Sequence, residues 1–104
     1  MSKKEERFNA YKKTFDEMTL RKFQLARIFN SGQPATKSVQ NTIHDKLSGR
    51  IGITKADMTS LQLLYVLQRI LETKEISIND IEFQKNGRIK EAWLKHVITK
   101  LESD

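Results

Sequence analysis

The sequence predicts an all-α domain of about five helices, with room for one short β element near residues 75–84. Apolar residues recur at intervals of three and four along several stretches, which is the spacing of an amphipathic helix. Ser and Thr stand at capping positions ahead of some of these stretches, and Gly or Pro separates others. A length of 104 residues favours one domain over residues 1–104.

Capping signals and apolar spacing predict the first two helices. Ser2 and Glu5 have the spacing of a capping box, and a helix is expected over roughly residues 3–17, with its apolar positions at Phe8, Tyr11, Phe15 and Met18. Thr19 is the predicted N-cap of a second helix, whose broad apolar face comprises Leu20, Phe23, Leu25, Ala26, Ile28 and Phe29. Residues 30–34 end that helix, and Pro34 suits the first turn of the next one, where its missing N–H is harmless.

The third predicted helix, over roughly residues 35–47, has a narrow apolar edge. Its apolar residues recur every four positions, at Ala35, Val39, Ile43 and Leu47, and Ser48-Gly49 is a C-cap signal. The opposite side carries Lys37, Asn41, His44 and Ser48, with Ser38, Gln40 and Asp45 beside them. Lys can reach guanine acceptors in a major groove, while Asn and Gln can pair with adenine.

This third helix is also poor in acidic residues. Asp45 is the only acidic residue between Glu17 and Asp57. Exposed helices usually carry Glu with Lys in pairs four residues apart, so we interpret this one as a nucleic-acid reader rather than an ordinary solvated face.

Two further helices are predicted in the second half. Thr54 with Asp57 opens a fourth helix that is apolar on most sides from Ala56 to Leu71, so it is expected in the core or between the core and a dimer partner. Residues 74–83 alternate apolar and polar, which fits either a short strand or hairpin or an extended loop with four buried apolar side chains. Asn86-Gly87 predicts a turn. A C-terminal amphipathic helix for core or dimer packing is expected over roughly residues 88–102, with its apolar face at Ile89, Trp93, Leu94, Val97, Ile98 and Leu101.

The net charge of +6 is unevenly distributed. Residues 1–55 hold 12 Lys and Arg against 5 Asp and Glu, whereas residues 56–104 hold 7 against 8. All of the basic excess therefore lies in the first half of the chain. This distribution favours a first half that faces a polyanion and a second half with a structural or partner-binding role.

Composition excludes several classes of protein. The chain has no cysteine, so it has no disulfide, thiol nucleophile or Cys-based zinc site. The N-terminal residues do not resemble a signal peptide, and no apolar run is long enough for a membrane span, so we expect a soluble cytoplasmic protein. His44 has no catalytic partner, because the side chain of its neighbour Asp45 points in a different direction on a helix. His96 is expected to be half-buried and has no catalytic partner either. We therefore predict no enzyme activity, cofactor or metal.

The aromatic residues mostly fall on apolar stripes and are expected in the core. Only Tyr11, beside Lys12 and Lys13, resembles the exposed aromatics of a single-strand binder. RNA binding is therefore the weaker third hypothesis.

Residues 19–71 resemble the phage-repressor-like (lambda-repressor-type) helix-turn-helix family, with a longer turn than is usual there. The similar segments are residues 24–26 for the first motif helix, residues 38–43 for the recognition helix, residues 47–50 for its Gly-plus-basic ending, and Leu61, Leu64 and Leu67 for the leucine-rich helix that follows. The resemblance implies a regulator that binds double-stranded DNA at a specific sequence, with a homodimer on a palindromic site as the expected state.

By position, the resemblance assigns two sets of contacts. The implied base readers are Lys37, Gln40, Asn41 and His44. The implied backbone contacts are Arg21, Lys22, Arg27, Thr36, Ser38, Ser48, Arg50 and Lys55.

A protein-binding role is the main alternative. A small basic inhibitor or adaptor, for example from a mobile element, would have the same size and charge and could dock on an acidic surface. Such a protein would expose an apolar patch, which residues 58–71 or 93–101 could supply.

Overall fold

The computed structural model describes residues 2–103 and confirms the predicted all-helical fold. Five α-helices follow one another: α1 (Lys3–Glu17), α2 (Lys22–Phe29), α3 (Lys37–Ser48), α4 (Lys55–Glu72) and α5 (Glu91–Glu102). Helix α1 packs on α3 and α4, and α2 packs on α3. The core between them is apolar, with Ile43, Leu61, Leu71 and Ile78 among its fully buried side chains.

Helix α1 has the predicted bounds. The Ser2 side chain accepts a hydrogen bond from the backbone N–H of Glu5, which satisfies one of the free donors at the helix start. Tyr11 and Phe15 are buried, so the predicted apolar stripe faces the core.

Helix α2 begins two residues later than the Thr19 prediction requires. Its N-cap position is Arg21, and no side chain of its own first turn caps it. Instead, the backbone N–H of Arg21 donates to Oδ1 of Asn79 at 3.0 Å, and the N–H of Thr19 donates to Oε1 of the buried Gln68 at 3.0 Å. The Thr19 prediction is wrong, because distant side chains bind the backbone of residues 19 and 21 and the helix begins only at Lys22.

The turn between α2 and α3 places Pro34 outside the helix. Thr36 is the N-cap of α3, since its hydroxyl accepts from the backbone N–H of Val39, so Pro34 precedes the cap and does not lie in the first turn. The predicted C-cap is confirmed, because Gly49 has a left-handed φ of 84° that suits glycine.

Helix α4 opens at Thr54 and Asp57 as predicted, and the two residues form a capping box. Its inner side is buried at Leu61, Gln68 and Leu71. Four uncharged residues among those exposed on α4 recur at intervals of three and four, and we call them the outer stripe: Thr59, Leu63, Val66 and Ile70.

Residues 73–90 form an extended loop rather than a strand. Ile76, Ile78 and Ile81 are buried, and a short 3-10 turn occupies Ile78–Asp80. Within residues 2–103 the only β feature is a single antiparallel bridge between Phe83 and Ile89.

The predicted turn at Asn86-Gly87 packs against the turn before α3. A Cβ atom on Gly32 would overlap the backbone carbonyl of Gly87, and both glycines have positive φ angles. The loop therefore supports the turn that separates α2 from α3.

Helix α5 begins three residues later than predicted. Residues 88–90 belong to the loop instead, where the N–H of Gln84 donates to the carbonyl of Arg88 and the N–H of Lys90 donates to that of Glu82. Val97 is buried, whereas Leu94, Ile98 and Leu101 are exposed, so half of the predicted apolar face of α5 meets solvent.

Candidate nucleic-acid interface

The four implied base readers share one exposed side of α3. Lys37, Gln40, Asn41 and His44 are all exposed, with Gln40 at the edge of this side, beside the buried Ile43 and Leu47. The first turn of α3 contains no acidic residue. The side of the helix that carries these residues can therefore approach a polyanion.

Three of these readers have free polar groups. Among the described residues, Lys37, Asn41 and His44 have no hydrogen-bond or ion-pair partner, so their polar atoms are available to a ligand. The amide nitrogen of Gln40 donates to the carbonyl of Ala35 at 3.1 Å, which orients the side chain and leaves its oxygen free to accept.

The start of α2 lies beside these readers. Lys22 borders a notch of about 200 Å³ between α2 and α3, and Gln40 and His44 line the same notch. Arg21 is exposed at the N-cap position of α2. The structure thus places one basic end of α2 next to the middle of α3.

Arg27 is placed differently from the other implied contacts. Its Nε donates to the carbonyl of Gly32 at 2.9 Å, and its guanidinium lies 4.8 Å from the ring centroid of Phe83. These contacts link the end of α2 to the turn and the loop, so Arg27 has a structural role and we leave it out of the interface.

The remaining implied backbone contacts lie at the two ends of α3 and the start of α4. Thr36 and Ser38 are exposed at the N-terminal end of α3, where the Thr36 hydroxyl can still donate its own proton. Ser48 is exposed at the other end, although its hydroxyl already donates to the carbonyl of Asp45. Arg50 and Lys55 are exposed in the segment that follows.

Sequence reasoning missed a basic cluster contributed by α1. Lys3, Lys4 and Arg7 line an open depression together with Lys55, and the Arg7 guanidinium donates to the carbonyl of Ile53 at 2.9 Å. Lys4 also lies against Gly52. The resemblance begins at residue 19, so the signal for these residues was only the basic character of the first half of the chain.

Tyr11, the aromatic residue expected to be exposed, is not among the exposed aromatic side chains. Tyr11 is buried, and burial followed by the nearby charge of Asp57 raises its pKa to about 12. Phe23, expected in the core, is 61% exposed and lines the notch between α2 and α3.

Lys46 fixes α3 to α4 rather than reaching outward. Its Nζ lies 2.9 and 2.8 Å from the two carboxylate oxygens of Asp57, and the two side chains are each 10% exposed. The same Nζ lies 4.7 Å from the ring centroid of Phe29, at the distance of a cation–π contact. Burial acts to raise the pKa of Asp57, but hydrogen bonds from Lys46 and Thr54 outweigh it and hold that pKa below its ordinary value.

Metal-ligating side chains form no cluster in the part of the chain that the structure describes. No group of three His, Asp or Glu side chains is close enough to hold a metal ion there. His96 is exposed rather than half-buried, because Trp93 and Val97 take the inner side of α5. No helix among residues 2–103 has the length and apolar character that crossing a membrane requires.

Comparison with known proteins adds no relative to these observations. No protein-family model matches the chain, and no curated protein or solved structure matches it. The candidate interface is therefore defined by its geometry and charge.

Proposed function

We propose that this protein is a small sequence-specific DNA-binding transcriptional regulator that acts as a dimeric repressor in the cytoplasm. The observation that carries the proposal is the exposed side of α3, where Lys37, Asn41 and His44 are displayed together with free polar atoms. Basic side chains border this surface at the start of α2 and after the end of α3.

In this proposal α3 enters the major groove. Asn41 and Gln40 would pair with adenine and Lys37 with guanine, while His44 would contact the neighbouring base edge. Phosphates would be held by exposed basic and hydroxyl groups on either side, which are Arg21, Lys22, Thr36, Ser38, Ser48, Arg50 and Lys55, joined by Lys3 and Lys4 of α1.

The packing of α2 on α3 supports a helix-turn-helix arrangement with an enlarged turn. Seven residues, 30–36, separate the two helices, and the contact between Gly32 and Gly87 holds this longer turn in one conformation. A rigid turn would keep α2 and α3 at a fixed angle, which two helices need if they are to dock on DNA together.

The outer stripe of α4 supports a homodimer. Its four residues recur at alternating intervals of four and three, the spacing of a coiled-coil seam, and none is charged. An antiparallel pair of α4 helices would place Leu63 of one copy against Val66 of the other, so the stripe would cover itself. Two copies would also present two α3 helices to a palindromic site.

Fluorescence anisotropy with duplex DNA tests the proposal. We expect binding to a random duplex that weakens steeply with salt, and much tighter binding to DNA from the protein's own promoter region. Absence of binding to both DNAs at low salt would overturn the proposal.

Sedimentation velocity tests the dimer separately. We expect Leu63→Glu to yield a monomer, whereas Gln62→Glu, which adds the same charge beside the stripe, should leave the dimer intact. A wild-type protein that sediments as a monomer at every concentration would contradict the dimer.

A second function is favoured by the same outer stripe, together with the exposed half of α5. A small basic inhibitor or adaptor, for example from a mobile element, would use an exposed apolar face to bind a partner protein and its basic surface to bind acidic residues of that partner. A monomer that binds no DNA would favour this function, and a pull-down with the Leu63→Glu variant as the control would then test it.

A further inference from the structure

Phe23 is exposed beside the proposed base readers, and its surroundings indicate a function. Its ring lines the notch between α2 and α3, whose floor is formed by Ala26 and Ile43, both nearly inaccessible to solvent. The lining of the notch is predominantly apolar. A duplex that docks on this surface would therefore meet an apolar recess and not only polar side chains.

The rim of the notch consists of three residues that the proposed function places on DNA. They are Lys22 from α2 and Gln40 and His44 from α3. If Gln40 and His44 contact base edges, the neighbouring base edge lies over the notch. The only apolar group that a base pair presents in the major groove is the C5-methyl group of thymine.

We propose that this notch binds a thymine methyl group and that Phe23 is a specificity-determining residue for thymine. This inference rests on the proposed DNA-binding function. Covering the exposed ring and the methyl group together removes apolar surface of both from water, which favours thymine over cytosine at that position. The recess, about 200 Å³ in volume, accommodates a methyl group and the edge of its ring.

The test begins with a duplex selected from a random library by binding to the wild-type protein. Each thymine is then replaced in turn by deoxyuridine, which removes only the methyl group. We expect one position in each half-site to lose about fourfold in affinity, the factor that corresponds to about 0.8 kcal/mol for one buried carbon group.

Variants identify the residue that senses the methyl group. The Phe23→Ala variant should bind the thymine duplex more weakly than the wild type does, and it should bind the thymine and deoxyuridine duplexes with equal affinity. The Phe23→Leu variant should retain part of the preference for thymine. Ile98→Ala is the matched control, since Ile98 is 51% exposed on α5, outside both the proposed interface and the outer stripe, and it should keep the full preference for thymine.

The outcomes separate this inference from the proposed function. Tight, sequence-specific binding with no response to deoxyuridine at any position would overturn the methyl site and leave DNA binding intact. An unchanged thymine preference in Phe23→Ala would likewise overturn the role of Phe23. No selected duplex at all would overturn the proposed function, and the methyl site with it.

Discussion

The ammonium group of Lys46 and the carboxylate of Asp57 form a doubly hydrogen-bonded ion pair between α3 and the first turn of α4. Both carboxylate oxygens lie within 2.9 Å of Nζ, and the two side chains are almost withdrawn from solvent. Asp57 also accepts the backbone N–H of Thr54 in the capping box. One carboxylate thus completes the start of α4 and holds α3 in place.

Replacement of Lys46 by Met should lower the free energy of unfolding by about 3 kcal/mol, because it leaves the buried carboxylate of Asp57 without its cation. Urea denaturation measures the effect. Lys12→Met is the matched control, since Lys12 and Asp16 form an exposed pair and its loss should cost about 0.5 kcal/mol. Equal effects of the two substitutions would contradict the structural role of Lys46.

Acid should weaken the same contact. Because the folded protein holds the pKa of Asp57 below its ordinary value of 3.8, the ionised carboxylate stabilises the fold above that pH, and this contribution is lost as the pH falls through the lowered pKa. Urea denaturation from pH 6 down to about pH 3 should therefore show a steeper loss of stability for the wild type than for Asp57→Asn. Parallel curves for the two proteins would contradict the assignment.

Gly32→Ala should destabilise the protein by at least about 2 kcal/mol, since the new methyl group would overlap the carbonyl of Gly87 and φ is +81°. Thermal unfolding followed by circular dichroism measures the loss. Gly52→Ala is the matched control, because there a Cβ atom would meet only the flexible side chain of Lys4 at 3.2 Å. A stable Gly32→Ala protein would show that the two turns do not pack together.

Asn79→Ala should lower the free energy of unfolding by about 1 kcal/mol, as the loss of an N-cap typically does. The Asn79 side chain accepts the backbone N–H of Arg21 at the start of α2 and also donates to the carbonyl of Thr19. Amide hydrogen exchange should show the loss at the start of α2 first. The control is Asn86→Ala, whose side chain accepts only a local hydrogen bond from Arg88, and it should leave exchange in α2 unchanged.

Within the proposed function, base readers and phosphate contacts should respond differently to substitution. Asn41→Ala should cost about 1–3 kcal/mol of affinity at one base pair and relax the preference there. Lys4→Ala should weaken binding to every duplex and lower the slope of log affinity against log salt by about 1. Lys95→Ala, an exposed lysine of α5, should change neither measurement.

The helices and their local caps were predictable because their causes are close in sequence. Ser2, Thr54 with Asp57, and Gly49 each act within three or four residues, so spacing alone predicts the helix ends there. The exposed side of α3 was predictable for the same reason, since its polar and apolar residues separate at helical spacing.

What escaped prediction depends on contacts between distant residues. Thr19 looked like a cap because nothing in the neighbouring sequence reveals Gln68 and Asn79 as partners of that backbone. Phe23 looked like a core residue because periodicity shows which side of a helix is apolar but not how much of that side a neighbour covers.

The buried position of Lys46 could not be predicted from the sequence for a further reason. A lysine on a basic helix is normally solvated, and only the placement of α4 brings a carboxylate and the ring of Phe29 to it. The basic cluster of Lys3 and Lys4 likewise required the packing of α1 beside the start of α4.

The caps and supports from distant residues determine when the basic surface takes shape during synthesis. The segment before α2 is held by Gln68 and Asn79, and the turn before α3 is held by Gly87. During synthesis the basic first half of the chain therefore leaves the ribosome before Gln68, Asn79 and Gly87, which hold it in place, have been made. We expect a nascent chain that stops before residue 68 to be a flexible polycation, able to attract nucleic acid through charge but not to read it.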